Sequence, residues 1–449
     1  MTSSNWPETK DVSGILSPNM QENPYWWSAN HVFVPYCTSD SWSGSKKSDK
    51  QGTFSFMGSS IVLQVVRDLI PLGLENSTDL MLAGSSAGGT GVMLNLDFVE
   101  ELLHEQMHLR KIRVKGVTDS GWFLDRTPFA PTNKPAVDAI RKGMDLWQGR
   151  VPRRCREQYL DEPWRCYFGY RIYPTLKTQI FVFQWLFDEA QMDADNVGAP
   201  VTKQQWDYIH KMGDALRHSF QNVSAVFAPS CISHAVLTKK EWQEVKIDDI
   251  SIADALHCWE QKANRKRIKR RKNNKRKKSR KQNSNPVKNS DNSLVTNTRQ
   301  NTTTKAIDAV NNDKKKNRNQ RKNKRKNHRD QRSNKRRANQ IRTANTVPTN
   351  TNLNYINNQT QRNPLQKQRR SYNKHCVHRR LERCSWPQCN HSCPKLHNPF
   401  TGEEMDFLEL LKSFGLDMES VANALGVDMN TLNNMDQGHL LNLLTQQAN

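Results

Sequence analysis

The chain has 449 residues and a formal net charge of +24, from 68 Lys and Arg against 44 Asp and Glu. A charge of this size usually indicates a nucleic-acid partner, but here it is concentrated in one segment. Residues 261–370 contain 36 Lys and Arg and 4 Asp, a local charge of +32, so the rest of the chain carries −8. This excludes a basic globular domain, and no apolar run is long enough to span a bilayer.

Apolar runs separated by polar turns predict alternating strands and helices in the first half of the chain. In order, these are a strand at 31–40, a helix at 56–74 stopped by Pro71 and Gly73, a strand at 79–84, a helix from about Gly88 to about Met107, and strands at 111–121, 179–187 and 224–234. Such alternation indicates an α/β fold with a mostly parallel sheet covered by helices on both faces.

The basic segment over 261–373 is rich in Lys, Arg and Asn and has almost no aromatic or branched apolar residues to bury. Because self-repulsion and missing burial leave the ordering entropy uncompensated, it is predicted to be a disordered insertion. It separates a core domain over 1–260 from a C-terminal part over 374–449. That part contains a Cys-rich stretch and, at 403–426, a pair of short helices expected to pack back on the core.

The chain contains nine cysteines, so at least one has no partner within it. The four from Cys376 to Cys393 include no C-x-x-C pair, which favours disulfides over a zinc site, some of them reaching back to Cys231 or Cys258. Sequons for N-glycosylation occur at Asn76, Asn222, Asn301, Asn358 and Asn390. These features favour an oxidising compartment, although the first residues lack the apolar core of a signal peptide.

The stretch Gly84-Ser85-Ser86-Ala87-Gly88 matches the G-x-S-x-G pattern, in which glycines make room for a strained turn that exposes the central hydroxyl. An apolar strand precedes it and a long helix follows, which is the context that an α/β-hydrolase-like fold requires. Ser86 is therefore predicted to be a nucleophile, with the amide of Ala87 as an oxyanion donor at the start of the helix. The alternative is a structural glycine-rich turn.

A serine nucleophile needs a base and an acid that orients it, and in this fold class the acid precedes the histidine in the chain. Asp188 and Glu189 follow the strand that ends near Phe187, and His234 follows the strand that ends near Ala228. Glu189 stays open as an alternative to Asp188. Three histidines are weaker candidates: His257, in an apolar setting, and His210 and His218, on an exposed helix-like stretch. Two weaker acids, Asp193 and Asp195, lie farther from the strand end than Asp188.

A dense series of motifs supports this reading: GILS, ENPYWW, VPYC, WSG, AGSSAGGTGV, DSGWFLD, FGYRIYPTL, QWLFDEAQ, FAPSCISH and ALHCW, then WPQCNHSCP and FTGEEM. With these motifs the sequence resembles the secreted palmitoleoyl-protein carboxylesterases, which are related to plant pectin acetylesterases. The resemblance covers residues 14–260 and 384 to about 420 and leaves out the basic insertion.

The resemblance implies Ser86, Asp188 and His234 as the catalytic triad, without a cofactor or metal. It also implies a lipid pocket with Phe123, Tyr167 and Phe168, where Tyr167 stands in place of the phenylalanine expected from the family. Cys155 and Cys166 are implied as a local disulfide. The implied reaction is hydrolysis of the palmitoleate ester on a serine of Wnt proteins, by a secreted enzyme that antagonises Wnt signalling.

Family members begin with a signal peptide and early strands carrying a Gly-Gly-Trp oxyanion loop, and these are not found here. We therefore expect an N-terminally incomplete chain, in which losing one oxyanion donor costs about 2.7 to 4 kcal/mol of transition-state stabilisation. Cys37 would then be the cysteine whose partner lies in the missing segment. Missing strands would also leave an open sheet edge.

For the basic insertion, one interpretation is a solvated linker and the other is binding to heparan sulfate chains, as on glypicans. Nucleic-acid binding is not expected, because the Lys and Arg runs lack interleaved aromatic residues that stack on bases. Two alternatives to a Wnt-directed esterase stay open: a carbohydrate O-acetylesterase with the same triad, and a catalytically inactive, truncated form that binds glycosaminoglycans.

Overall fold

The structure is a computed structural model that describes residues 6–49, 54–131, 136–198, 202–262, 376–396 and 417–435. The basic insertion from residue 263 onward, and residues 403–416 of the predicted helix pair, lie outside the described residues. In chain order, the helices are α1 (Gly58–Leu69), α2 (Ala87–Glu101), α3 (Ala136–Trp147), α4 (Arg153–Gln158), α5 (Gly169–Ile172), α6 (Glu189–Ala194), α7 (Lys203–Ser219), α8 (252–262), α9 (Met418–Leu425) and α10 (Met429–Asn433).

The strands are β1 (Asp79–Ser85), β2 (Arg113–Asp119), β3 (Ile180–Phe183), β4 (Phe187–Asp188), β5 (Val226–Ala228), β6 (Ile232–Ser233), β7 (Lys246–Ile247), β8 (Ile250–Ser251) and β9 (Arg379–Leu381). Five of them form one sheet in the order β1-β2-β3-β5-β9, and every pairing in it is parallel. The prediction of a mostly parallel α/β sheet is confirmed.

Helices cover the two faces of this sheet. Successive residues of each strand point to opposite sides, so each strand contributes side chains to both faces. In β3, Ile180 and Val182 belong to a core cluster shared with α1, α2 and α7. Phe181 and Phe183 point the other way, into a second cluster that includes Trp259 of α8. All four β3 residues are buried, as expected for a central strand of a two-sided sheet.

The strand predicted at 31–40 is wrong, since residues 31–37 form no regular secondary structure. Val32 and Phe33 are 48% and 44% exposed, and in the described part of the chain no strand pairs with this segment. The end of the segment is instead held by a buried carboxylate: Asp40 accepts hydrogen bonds from the amides of Trp42 (3.0 Å) and Gly58 (2.7 Å). A β-prone apolar run therefore did not become a strand, because the ladder partner that a strand needs is not provided there.

Two predicted strands, at 179–187 and 224–234, each divide into two short pieces. Their first pieces, β3 and β5, lie in the main sheet, whereas their second pieces, β4 and β6, pair in parallel with each other. The break around Gln184 to Leu186 redirects the chain away from the main sheet. As a result, both runs end at the same place, beyond the carboxyl edge of the sheet.

The C-terminal part joins the core through β9, which pairs with β5 at the edge of the sheet. Four disulfides pair eight of the nine cysteines: Cys155–Cys166, Cys231–Cys393, Cys258–Cys376 and Cys384–Cys389. Cys37 is the remaining thiol. The Cys-rich stretch is thus held by disulfides, two of which do reach back to Cys231 and Cys258. None of the helices described here combines the length and the apolar character that crossing a membrane would take.

Candidate active site

Ser86 occupies a strained turn between β1 and α2. Its backbone has φ 57° and ψ −124°, a region that side chains other than glycine rarely adopt. The turn closes tightly: a Cβ atom on Gly84 would lie 2.3 Å from the carbonyl oxygen of Gly88, so a residue with a side chain does not fit there. The amide of Ser86 donates to the carbonyl oxygen of Asp119 at the end of β2 (2.8 Å). These contacts present the Ser86 side chain at the carboxyl edge of the sheet.

Asp188 and His234 are brought together by the small β4–β6 sheet. Its register pairs Phe187 with Ile232 and Asp188 with Ser233, so that His234 follows directly beside the carboxylate. The Nδ1 atom of His234 lies 3.1 Å from both Oδ1 and Oδ2 of Asp188. A carboxylate at Nδ1 assigns the ring proton to that nitrogen and leaves Nε2 as the basic one.

The Asp188 carboxylate is fully buried and is fixed by two further donors. The side-chain amide of Gln184 donates to Oδ2 (2.9 Å), and the backbone amide of Gln191 donates to Oδ1 (3.1 Å), as expected for an acid that caps α6. Gln184 also accepts from the amide of Trp122 (2.9 Å). Sequence reasoning missed both glutamines; the signal for Gln184 was an amide flanked by apolar residues on both sides in the run 180–187.

Burial and charge act in opposite directions on this pair. Burial raises the pKa of Asp188 above its ordinary value, and the hydrogen bond and charge of His234 lower it by less. For His234, burial lowers the pKa, but the hydrogen bond and charge of Asp188, together with the charges of Asp119 and Glu189, outweigh it, and the net pKa is raised. The pair is thus poised to hold a proton on the imidazole, as a general base needs once it has taken one from a nucleophile.

Among the residues described, the alternative acid and histidines are not bonded to this pair. Glu189 is exposed at the first turn of α6, and no hydrogen bond or ion pair within the described ranges joins it to His234. His257 stacks on Tyr25, with ring centroids 4.1 Å apart. Of the two histidines of α7, His218 is exposed, as predicted. His210 is half-buried against Trp386, so the prediction that it is exposed is wrong.

Ala87 begins α2, whose first-turn amides have no acceptor within the helix. The aromatic residues implied for the lipid pocket lie on segments that follow β2 and α4. Phe123 is half-buried, and Tyr167 and Phe168 are buried. The hydroxyl of Tyr167 donates to Oγ of Ser43 (2.6 Å), so the group that a phenylalanine would lack is paired inside the protein. Burial raises the pKa of Tyr167, which keeps this hydroxyl protonated.

A serine at a strand-to-helix bend and a histidine–carboxylate pair, both beyond the carboxyl edge of a parallel sheet, are the arrangement typical of serine α/β hydrolases. A match to a protein-family model identifies the family of the chain. The family model "Pectinacetylesterase" matches residues 1–282. The chain belongs to the pectinacetylesterase family.

Curated relatives with high similarity are named palmitoleoyl-protein carboxylesterases. The Drosophila melanogaster protein is 47% identical over 552 aligned residues, which cover 100% of this chain and 78% of the relative. The human protein is 35% identical over 442 residues, covering 96% and 69%. A solved structure described as the Wnt deacylase Notum from Drosophila is 60% identical with a TM-score of 0.57, covering 59% of this chain and 77% of that one. The resemblance stated from the motifs is confirmed.

Proposed function

We propose that this chain is a serine carboxylesterase that removes the palmitoleate ester from a serine of Wnt proteins. The proposal depends most on one observation: the imidazole of His234 is bonded to a buried carboxylate, beyond the same sheet edge at which Ser86 sits on a strained bend. The relatives named above support the substrate class, since their names describe palmitoleoyl-protein carboxylesterases and a Wnt deacylase.

The proposed reaction uses each residue of the triad once in each half. Nε2 of His234 takes the proton of Ser86 as Oγ attacks the ester carbonyl carbon, and the amide of Ala87 donates to the oxyanion. Collapse of the tetrahedral intermediate breaks the bond to the serine oxygen of the Wnt protein, which leaves with the proton from His234. Water then attacks the acyl-enzyme, again giving a proton to His234, and palmitoleate is released while Ser86 regains its proton. Asp188 holds the imidazole in place and stabilises its charged form.

The first test is turnover of a fluorogenic octanoate ester by the chain and by substituted proteins. We expect Ser86→Ala and His234→Gln each to reduce kcat by about 10⁴-fold or more, because members of a triad act as a unit. His257→Gln is the matched control, since that imidazole stacks on Tyr25, and it keeps kcat within about twofold. Asp188→Asn should lose most of its activity and Glu189→Gln little. Equal turnover by the chain and by Ser86→Ala would end the proposal.

A carbohydrate O-acetylesterase is the second candidate, and the family description "Pectinacetylesterase" favours it. The two candidates differ in the acyl group that they accept. Burial of an acyl chain stabilises a complex by about 0.8 kcal/mol per CH₂, so a lipid-directed enzyme prefers octanoate and a palmitoleoylated Wnt peptide over acetate. An acetylated sugar hydrolysed with a higher kcat/KM than octanoate would favour the second candidate.

We further propose that Phe123, Tyr167 and Phe168 line the acyl pocket. In support, Phe123 lies four residues beyond Asp119, whose carbonyl oxygen binds the amide of Ser86. Because Ser43 accepts the hydroxyl of Tyr167, that ring can serve as a phenylalanine does. Phe123→Ser should lower kcat/KM for octanoate by about tenfold, through lost apolar contact, and leave acetate hydrolysis little changed. An equal loss for both esters would contradict a pocket role.

We also propose an extracellular enzyme that binds heparan sulfate, for example on glypicans, through its basic insertion. The four disulfides support an oxidising compartment, and the charge of +32 over 261–370 supports a polyanionic partner. Retention on heparin should weaken steeply with salt and should be lost on deletion of residues 262–345. Retention that survives this deletion, or that RNA competes for better than heparan sulfate, would rule out the assignment.

A further inference from the structure

Asp119 ends β2 directly beside both catalytic segments. Its carboxylate is fully buried and receives four donors. Oδ2 accepts from the amides of Val236 (2.8 Å) and Leu237 (3.0 Å) and from the hydroxyl of Ser85 (2.6 Å), and Oδ1 accepts from the hydroxyl of Ser120 (2.8 Å). A carboxylate has about four acceptor positions, and four donors bind this one, three of them at Oδ2.

The donors come from the two chain segments that carry the reacting groups. Ser85 immediately precedes Ser86, and Val236 and Leu237 follow His234 by two and three residues. The backbone carbonyl oxygen of Asp119 adds a further bond, from the amide of Ser86 (2.8 Å). One residue therefore ties the nucleophile turn to the histidine loop.

Three residues with positive φ lie at the same contacts. Ser86, Ser120 and Ala235 have φ values of 57°, 51° and 56°, although none of them is glycine. Such residues persist only where the surroundings hold them. Ala235 is held by a hydrogen bond from its amide to Oγ of Ser120 (3.1 Å), next to the two amides that bind Asp119.

No lysine or arginine compensates this carboxylate: the ion pairs found in the described residues do not include Asp119. Its burial is offset by neutral N–H and O–H donors, three of which belong to the catalytic segments. A charged acceptor binds such donors about twice as strongly as a neutral one and fixes their directions.

We infer that Asp119 is a positioning residue for the esterase reaction, which sets the place of the His234 imidazole relative to Oγ of Ser86. The inference rests on the proposed function. Asp119 does not touch the reacting atoms; it positions them through the backbone of residues 235–237 and through Ser85 and Ser86, and its charge also contributes to the raised pKa of His234. A displacement of about 1 Å between reacting groups is enough to lower the rate by about 100-fold.

Asp119→Ala and Asp119→Asn separate the anchoring role from simple stability. The alanine variant loses all four side-chain bonds, and we expect kcat for the octanoate ester to fall about 100-fold with KM within about twofold. Asparagine restores most of the rate, because its oxygen can accept the two amides while its NH₂ group donates to Ser120. If Asp119→Ala does not fold, Ser85→Ala removes one bond and leaves the carboxylate, and kcat should fall about tenfold.

Asp97→Ala is the matched control. Asp97 of α2 also accepts two successive backbone amides, from Lys177 (3.1 Å) and Thr178 (3.0 Å), but they precede β3 and lie at the opposite, amino edge of the sheet. It should lower the midpoint of thermal unfolding and leave kcat within about twofold. An unchanged kcat in Asp119→Ala and Ser85→Ala, or an equal loss in Asp97→Ala, would overturn the inference.

A second readout does not depend on turnover. The proton on Nδ1 of His234, bonded to Asp188, gives a downfield NMR signal that is assigned by its loss in His234→Gln. We expect the signal to weaken or shift in Asp119→Ala and to stay unchanged in Asp97→Ala. If the chain hydrolyses esters no faster than Ser86→Ala, the proposed function fails, and this signal still decides whether Asp119 positions the imidazole. A signal that is identical in Asp119→Ala and the unsubstituted protein would count against it.

Discussion

Among the residues that the structure describes, the carboxyl group of Asp195, which follows α6, is the clearest source of pH-dependent stability. It is buried, and burial raises its pKa from the ordinary 3.8 to about 6, while Tyr208, Gln191 and Arg126 lower it by less. Gln191 donates to Oδ1 (3.0 Å), but Oδ2 is buried without a hydrogen-bond partner among the described residues, 3.8 Å from Nε of Arg126. The charged form is therefore poorly compensated.

The sign follows from the direction of the shift. A folded-state pKa above the unfolded value means that the folded protein binds the proton more tightly, so the contribution to stability is complete below the unfolded pKa and is lost as pH rises through about 6. For one group with these two values, about 2 kcal/mol of stability disappears between about pH 4.5 and about pH 7.5. Asp195→Asn cannot lose a proton and should lack this dependence.

The assay is urea unfolding followed by tryptophan fluorescence at about pH 4.5 and about pH 7.5. At each pH, the free energy of unfolding of the unsubstituted protein is subtracted from that of Asp195→Asn. We expect this difference to be about 2 kcal/mol more favourable to the variant at about pH 7.5 than at about pH 4.5. Asp193→Asn, an exposed position two residues away, is the control and should change stability by less than about 0.5 kcal/mol at either pH. A stability difference between Asp195→Asn and the unsubstituted protein that is the same at both pH values, or larger in favour of the variant at the lower pH, would refute the reasoning.

Three further predictions concern the site and its supports. Since the pKa of His234 is raised and a general base must be neutral, the acid limb of kcat/KM should have its midpoint above pH 6.5, which a pH profile measures. Tyr167→Phe should lower the free energy of unfolding in urea by about 0.5 to 1.5 kcal/mol, because the hydroxyl of Ser43 still donates to a backbone oxygen. Ser43→Ala leaves the buried hydroxyl of Tyr167 without its acceptor and should lower it by about 1 to 3 kcal/mol. Replacing both Cys231 and Cys393 by alanine should cost about 4 kcal/mol of stability, because this disulfide closes a long loop. A smaller loss than that caused by replacing both Cys384 and Cys389, which close a short loop, would contradict this.

Local sequence predicted those features that depend on short-range pattern. Alternating apolar runs gave the parallel sheet, because strands buried on both faces read as continuous apolar segments. The G-x-S-x-G match located the bend at Ser86, since its glycines are required by the close approach of Gly84 and Gly88. The positions of Asp188 and His234 after two strands followed from chain order in this fold class.

What local pattern missed depends on contacts between distant segments. The breaks within 179–187 and 224–234 could not be read from apolar runs, since both halves of each run are buried. The strand expected at 31–40 has the residue types of a strand but no ladder partner. The pairing of β9 with β5 joins residues more than 150 positions apart across the basic insertion, which no periodicity reports. Asp119 was noted as part of a motif, but its donors come from three places in the chain.

The short β4–β6 sheet is held by contacts with the C-terminal part. Two residue pairs give it few backbone bonds, and a shift by one residue would turn Asp188 away from His234, because side chains alternate between faces. Its register must therefore be fixed from outside. The side chain of Gln388, which accepts the amide of Ile232 (2.8 Å), and the disulfide of Cys231 with Cys393 hold the segment before the histidine.

Asp119 holds the segment after His234, so this histidine is anchored on both sides. The anchors that precede the histidine come from residues beyond the insertion, and the anchor that follows it comes from β2. Opening the Cys231–Cys393 disulfide should therefore lower kcat as well as stability, whereas opening Cys384–Cys389 should act on stability alone. Since each anchor fixes a different end of one short segment, losing both Asp119 and this disulfide should reduce kcat less than the product of the separate effects, as expected for coupled positions.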